Sequence, residues 1–234
     1  MGARAPGETG ARAPIGAPAG IVARMTRIET LDELSSLYPE PGERVRTKKR
    51  DRLDDGLRVV LALSPFVLLA TADAAGRCDV SPRGGPPGFV RALDDRHVAL
   101  PDLNGNHLID SLRNIVANPH AGLLVVVPGQ DETVRIDGPA HLTTDDAVLA
   151  RFDGELRRPT LAVVIEVAAV FTHCAKAFKR GGVWQPSSWP TLDRSPALAA
   201  RYRQLDLDVS FEDYATDNAA RIGDGLTLDR RPAP

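Results

Sequence analysis

Three stretches of this sequence carry more polar chemistry than turning the chain requires. In the first, Asp79-Val80-Ser81-Pro82-Arg83-Gly84-Gly85, a hydroxyl and a guanidinium stand beside glycines that let a ligand approach backbone amides, which suits an anion. The plainer alternative is a hairpin with a surface arginine. The second runs from Pro101 to Asn114 and carries Asp102, Asn104, Asn106, His107, Asp110 and Ser111 through a polar loop into a helix. The free amides of a helix start attract phosphate; alternatively, Asn104, Asn106 and Asp110 only turn and cap the chain. The third, His173 to Arg180 followed by Trp184, places Lys176, Lys179 and Arg180 near an indole on a short helix. Basic and aromatic groups together can clamp an aromatic anion, and a solvated helix with cations at its end reads equally well.

Other reactive patterns are missing from the sequence. No GxGxxG follows a strand, and there is no P-loop and no nucleophile elbow. The histidines at 97, 107, 120, 141 and 173 show no metal-ligand spacing, so no metal is expected. Cys78 and Cys174 are too far apart in sequence to form a CxxC unit, which argues against a disulfide framework and fits a reducing cytoplasm. Cys174 follows His173, but adjacent residues on a helix do not face each other, so an activated thiol is not expected.

These stretches must be positioned by a fold of limited size, because 234 residues suffice for one domain with trimmings. The 29 Lys and Arg against 31 Asp and Glu leave a formal charge of −2, so no global field points to nucleic acid or to an anionic membrane. Residues 1–25 read as a disordered lead-in, since the first twenty hold six Ala, five Gly and three Pro and are interrupted by Arg4 and Arg12. No apolar run approaches the roughly 20 residues of a membrane-spanning helix.

Thr30 and Glu33 form a capping-box pattern before Leu31, Leu34 and Leu37, and Pro39 and Pro41 end that helix. Leu53, Leu57, Val60 and Leu61 predict a second helix from about Thr47 to Leu63. The basic cluster Arg44, Arg46, Lys48, Lys49, Arg50 and Arg52 at its start is either a solvated face or a ligand-facing patch. Strand character follows. Phe66 to Thr71, the turn Asp73 to Gly76 and Cys78 to Ser81 make one hairpin, and Phe89 to Leu93 with His97 to Leu100 makes the next. A helix on Leu108, Leu112, Ile115 and Val116 closes at Asn118-Pro119. Ala121 to Val127 and Glu132 to Leu142 form a further hairpin, Thr144 starts a short helix to about Phe152, and Leu161 to Val170 is a final apolar strand. Six strands in antiparallel succession with a few helices predict a mainly β fold, a small barrel over residues 26–190. Residues 191–234 remain as a helical extension or tail.

The succession FVLLATADAAGRCDVSPRGGPPGFV, VALPDLNGNHLIDSLRNIVANPHAGLLVVVPG, ETVRIDGPAHLT and HCAKAFKRGGVW resembles the pyridoxamine-5′-phosphate-oxidase-like superfamily over roughly residues 30–190. It is similar to a subgroup described only as FMN-dependent enzymes. The resemblance implies a six-stranded antiparallel split barrel that forms a homodimer, with FMN sites at the interface built from both chains. It implies that Asp79, Val80, Ser81 and Arg83 run beside the flavin, that Pro101 and Asp102 face the ring, and that Asn106, Asp110 and Ser111 belong to the phosphate-binding stretch. Thr133 matches a polar position near the flavin, and Lys176, Arg180 and Trp184 match groups contributed by the partner chain.

True pyridoxamine phosphate oxidases carry a basic pair where this chain has Asp110-Ser111, and a C-terminal signature of tryptophan, arginine and histidine that this sequence lacks. Pyridoxamine phosphate is therefore not the expected substrate. FMN phosphate would rely on Arg83, on His107 or Arg135, and on neutral donors at the helix start. The expected activity is an FMN-dependent oxidoreductase acting on a small organic molecule, with no acid or base assigned. The alternatives are F420 or heme on the same barrel, with His173 as the heme candidate, or a flavin-binding protein without turnover.

Overall fold

A computed structural model of the chain describes residues 26–154 and 156–230. The lead-in expected over 1–25 lies outside the described residues. The chain divides into two units, one ending at Arg46 and the other beginning at Thr47. In the first, helix α1 (Leu31–Ser36) starts at Thr30 with the expected capping box, and a single turn, α2 (Glu43–Arg46), follows.

The second unit is built on eight strands: β1 (Phe66–Ala72), β2 (Cys78–Gly84), β3 (Arg91–Ala92), β4 (His97–Pro101), β5 (His120–Val126), β6 (Thr133–Thr143), β7 (Ala162–Glu166) and β8 (Ala169–His173). All pairings are antiparallel, in the order β2-β1-β5-β6-β7-β4-β3, with β8 pairing β6 off this path. Strand β6 is shared between two ladders on one side. Its first half, Thr133 to Asp137, pairs β8, and its second half, Ala140 to Thr143, pairs β7.

The expected six-stranded closed barrel is therefore corrected to eight strands in a sheet that does not close. The apolar stretch expected as one strand, Leu161 to Val170, breaks at Val167-Ala168, where the chain passes from one half of β6 to the other. The amides at the break are satisfied elsewhere, Val167 N donating to Arg96 O at 2.7 Å and Ala168 N to Asp137 O at 3.0 Å. Gly138 makes this crossing possible, because a Cβ there would stand 1.9 Å from Glu166 O.

Alternation along the strands builds the core. Val67 and Leu69 of β1, Leu123 and Val125 of β5, Ile136 of β6 and Val170 of β8 are fully or almost fully buried, and each such side chain contributes about 1.5–3 kcal/mol on burial. Among the helices, α3 (Asp55–Leu63) starts at Asp54, whose carboxylate accepts from Leu57 N at 2.8 Å. The helix expected from Thr47 is thus shorter. Residues 47–54 instead run along the sheet, where Arg50 exchanges backbone hydrogen bonds with Val170 and Leu53 N donates to Asp95 O. Leu53 is buried, as its apolar spacing implied, but not on a helix.

Helix α4 (Asp110–Ala117) packs Leu112 and Ile115 into the core. Helix α5 (Asp146–Leu149), capped by Asp145, leads into a 3-10 turn ending at Phe152, and α6 (Lys176–Gly181) follows β8. Beyond these lie α7 (Pro196–Leu205), with Ser195 as its cap, and α8 (Phe211–Leu228), capped by Ser210. Among the described residues no helix is long and apolar enough to cross a membrane.

Candidate functional site

Strand β2 is an edge strand, and its alternation places three polar side chains in succession on one face. Asp79, Ser81 and Arg83 are partly buried there, while Cys78, Val80 and Pro82 are exposed on the other. The inward face meets the start of α4. Ser111, buried there, donates to Asp79 Oδ2 at 2.5 Å, and its Oγ lies 3.0 Å from Ser81 Oγ. Because Ser111 has one proton and gives it to the carboxylate, Ser81 is the donor in the Ser81–Ser111 bond. Arg83 Nε in turn donates to Ser81 Oγ at 3.2 Å. The four groups form a directed chain, Arg83 to Ser81 to Ser111 to Asp79, which fixes both hydroxyl protons.

The opposite wall is the loop that links β4 to α4. Asp102 N is anchored to Leu161 O, Asn106 Oδ1 accepts from Leu108 N at 3.0 Å, and His107 adopts a left-handed conformation with φ 59°. No side chain caps α4 at Ile109, so the first amides of the helix keep their donor capacity. Between this loop, β2 and the helix start lies a cleft of about 410 Å³.

The electrostatics of the cleft are mixed. Arg83 is its guanidinium, against the carboxylates Asp79 and Asp110. Asp102 stands behind, its Oδ1 3.5 Å from Arg83 Nη1. Burial raises the Asp102 carboxyl above its ordinary range, which the Arg83 and His107 charges oppose and Asp229 reinforces. The arrangement offers hydroxyls and carboxylates to the hydroxyls of a ligand, and one guanidinium with backbone amides to an anionic or carbonyl end.

Seven of the residues expected from sequence, Asp79, Ser81, Arg83, Pro101, Asn106, Asp110 and Ser111, line this one cleft, and Asp102 joins it through Arg83. Val80 sits between them on the opposite face of β2 and is exposed. Thr133, Lys176, Arg180 and Trp184 are not part of the cleft within one chain. Thr133 is buried at the start of β6 opposite His173, and Lys176 and Arg180 lie on α6. Trp184 Nε1 donates to Gln130 O at 2.7 Å and its ring stacks on Phe178. Phe89, Leu103 and Leu108 line the cleft without having been singled out. Phe89 packs so closely on Gly85 that a Cβ there would lie 2.7 Å from it, and no spacing in the sequence marks that contact.

On the outer face of the sheet, the basic segment partly resolves into contacts. Lys48 Nζ lies 4.8 Å and Lys49 Nζ 5.5 Å from the Phe171 ring centre, with Arg135 also above that ring. His173 packs against Phe171, and its pKa is lowered by burial and by the Lys48 and Arg135 charges.

Among solved structures, the chain is similar to HupZ of Group A Streptococcus (19% identity, 51% of this chain and 93% of that chain, TM-score 0.43). It is also similar to HutZ, described as a heme storage protein of Vibrio cholerae (20% identity, 51% and 94%, TM-score 0.36). A third is a pyridoxamine 5′-phosphate oxidase-related, FMN binding protein from Nostoc punctiforme (16% identity, 49% and 76%, TM-score 0.33). No curated protein matches the chain in sequence. The family description Pyridoxamine 5′-phosphate oxidase matches residues 53–174, just over half the chain, from Leu53 through the end of β8. On that match, this chain belongs to the pyridoxamine 5′-phosphate oxidase-like family.

Proposed function

We propose that the cleft between β2 and α4 binds FMN and that the protein is an FMN-dependent oxidoreductase acting on a small organic substrate. The observation that carries this reading is the directed chain from Arg83 to Asp79 beside an uncapped helix start. The residues present fit a ribityl chain and a flavin ring well, since hydroxyl, carboxylate and guanidinium alternate along one wall. For the phosphate they supply Arg83 and the α4 amides, against Asp79 and Asp110. Affinity for FMN is accordingly expected to be modest.

When bound, FMN supplies the two-electron chemistry. The protein's part is to hold and exclude. Arg83 would hold the anionic or carbonyl end of the flavin, Ser81 and Ser111 would hold its hydroxyls in a fixed donor direction, and Phe89, Leu103 and Leu108 would keep water from that wall.

The remaining expected residues enter through a second copy of the chain. On the sheet face opposite the cleft Phe66 and Val80 are exposed beside partly exposed Leu68 and Leu124, an apolar strip suited to a two-fold contact, and because β2 is an edge strand the cleft lies at the rim of that contact. In such a homodimer Lys176, Arg180 and Trp184 of one chain would complete the cleft of the other. A cytoplasmic location fits two exposed free cysteines.

The test is to purify the full chain, record its absorption spectrum, release any ligand by heat and identify it by mass. One FMN per chain in a dimer by light scattering is the expected result. Heme, F420 or no ligand after reconstitution with FMN would overturn the cofactor, and a flavin-saturated monomer would overturn the shared site.

A further inference from the structure

Helices α7 and α8 lie beyond the segment that matches the family. They pack on each other through Tyr202, which meets Phe211 at 5.6 Å and Tyr214 at 5.5 Å. The end of α8 is fastened beside the cofactor cleft. Asp229 Oδ1 accepts from Asn104 N at 2.9 Å, and Asp229 O accepts from Arg157 N at 2.8 Å. Gly225 lets the helix come this close, because a Cβ there would lie 2.9 Å from Asn104 Nδ2. Between the helices and the loop Asn104 to His107 a second cleft of about 520 Å³ opens, and Asn104, Gly105 and Asn106 form a wall common to both clefts.

The chemistry of this second cleft differs from that of the first. Arg201 is held in its wall by neutral acceptors: Nε donates to Tyr214 Oη at 2.5 Å and Nη2 donates to Asn218 Oδ1. Among the described residues no carboxylate pairs with Arg201. Ordering a long arginine side chain costs entropy, and here the charge so fixed is left without a counter-ion beside a cavity. Arg221, one turn of α8 beyond Asn218, adds a second guanidinium, paired on its flank with Asp217 at 3.3 Å. Ile222 and Leu226 supply an exposed apolar surface between the polar groups. The single carboxylate of the lining, Asp229, is engaged by Asn104.

We infer that the cleft between α8 and the Asn104–His107 loop binds a small organic carboxylate, whose anionic end is held by Arg201 and Arg221 and whose apolar body lies on Ile222 and Leu226. A carboxylate suits the site better than a phosphate because Asp229 faces the same space and a dianion would be repelled more strongly. Its place one loop away from the candidate FMN cleft makes it an anchor for the flavin's substrate. Only that role rests on the FMN reading; the binding itself does not.

The probe is 4-fluorobenzoate, followed by fluorine NMR line broadening with the full chain, first without FMN and then with it. Broadening by the wild type is expected at low-millimolar concentration, and the uncharged 4-fluorobenzamide should show little. Arg201→Met and Arg221→Gln should each weaken binding about tenfold, the usual effect of removing a hydrogen bond to a charged group. Arg201→Lys should lose less, and Arg77→Gln, far from the cleft, should behave as wild type. Circular dichroism checks each fold, and Arg221→Gln keeps the test decisive if Arg201→Met does not fold, because the Arg221 pair is exposed. No broadening by the wild type, equal binding of the amide, unchanged binding in Arg221→Gln or an equal loss in Arg77→Gln would overturn the inference. So would displacement by inorganic phosphate at matching concentration. If FMN fails to bind while arginine-dependent fluorobenzoate binding persists, the flavin proposal falls and this one stands.

Discussion

Replacing Arg83 by alanine removes the guanidinium from the candidate flavin cleft and the first donor from the chain that runs to Asp79. A hydrogen bond to a charged group contributes about 1.5–3 kcal/mol, so FMN affinity should fall about ten- to a hundredfold. Arg83→Lys should recover part of this, because an ammonium keeps the charge but not the fork geometry. The fold should tolerate the loss. The Arg83–Asp102 pair is long at 3.5 Å and its side chains are 23% and 31% exposed, so it contributes about 1 kcal/mol or less.

Asp102 gives this variant a pH signature. Its carboxyl is already raised by burial, and Arg83 is a charge that opposes the rise. Without Arg83 the folded-state pKa climbs further. A carboxyl raised on folding contributes stability that is present below its unfolded value and lost as pH rises through the folded value. Arg83→Ala should therefore be destabilised more at neutral pH than in mild acid. Titration of the apo-protein by flavin fluorescence and thermal melts at the two pH values measure both effects. Unchanged FMN affinity would mean that the cofactor lies elsewhere, and a large loss of stability at both pH values would mean that Arg83 serves the fold.

Ser111→Ala, which removes one neutral donor, should weaken FMN by about tenfold or less in the same titration. Gly138→Ala should cost about 1–3 kcal/mol or more in denaturant unfolding, since its Cβ would collide with Glu166 O, whereas at Gly122 the nearest atom stands 3.9 Å away and alanine should be tolerated. His173 is held below its ordinary pKa of 6.5; such a group gives stability that is present above 6.5 and lost as pH falls through the folded value. His173→Gln should flatten the decline of thermal stability in that window, and an unchanged slope would place the pH sensitivity elsewhere.

Strands were legible in the sequence where burial alternates, and lost where it does not. In β2 the strand was read only from Cys78 to Ser81, while the structure carries it on to Gly84, so that Arg83 joins Asp79 and Ser81 on one face of the strand. The stretch from Leu161 to Val170 gave no sign of its break, because the crossing at Val167-Ala168 is itself apolar and the residue that permits it, Gly138, lies on another strand. The start of α3 was misplaced because Leu53 continues the helical spacing while belonging to an extended segment; Asp54 was the boundary signal. The candidate cleft was legible at the residues between Asp79 and Ser111 that line it. Its lower wall was not, since the approach of α8 to Asn104 joins residues 125 apart in the chain. Ser195-Pro196 and Ser210 with Asp213 three residues later did carry the helix starts of that extension.

The shared strand β6 sets the order in which the architecture can come apart. Its hairpin with β5 closes over a short turn at Gly129, with Gln130 N bonded to Val127 O, while β7 and β8 dock on its two halves from further along the chain. Freeing β6 thus requires rupture of three ladders, where the other interior strands break two, and its amides should be among the slowest in the protein to exchange. In folding, the local β5–β6 hairpin pays the smaller loop-closure cost and offers a preformed template to both later strands. The break at Val167-Ala168 then acts as a register lock: because β7 and β8 are joined by two residues, placing either one on its half of β6 places the other.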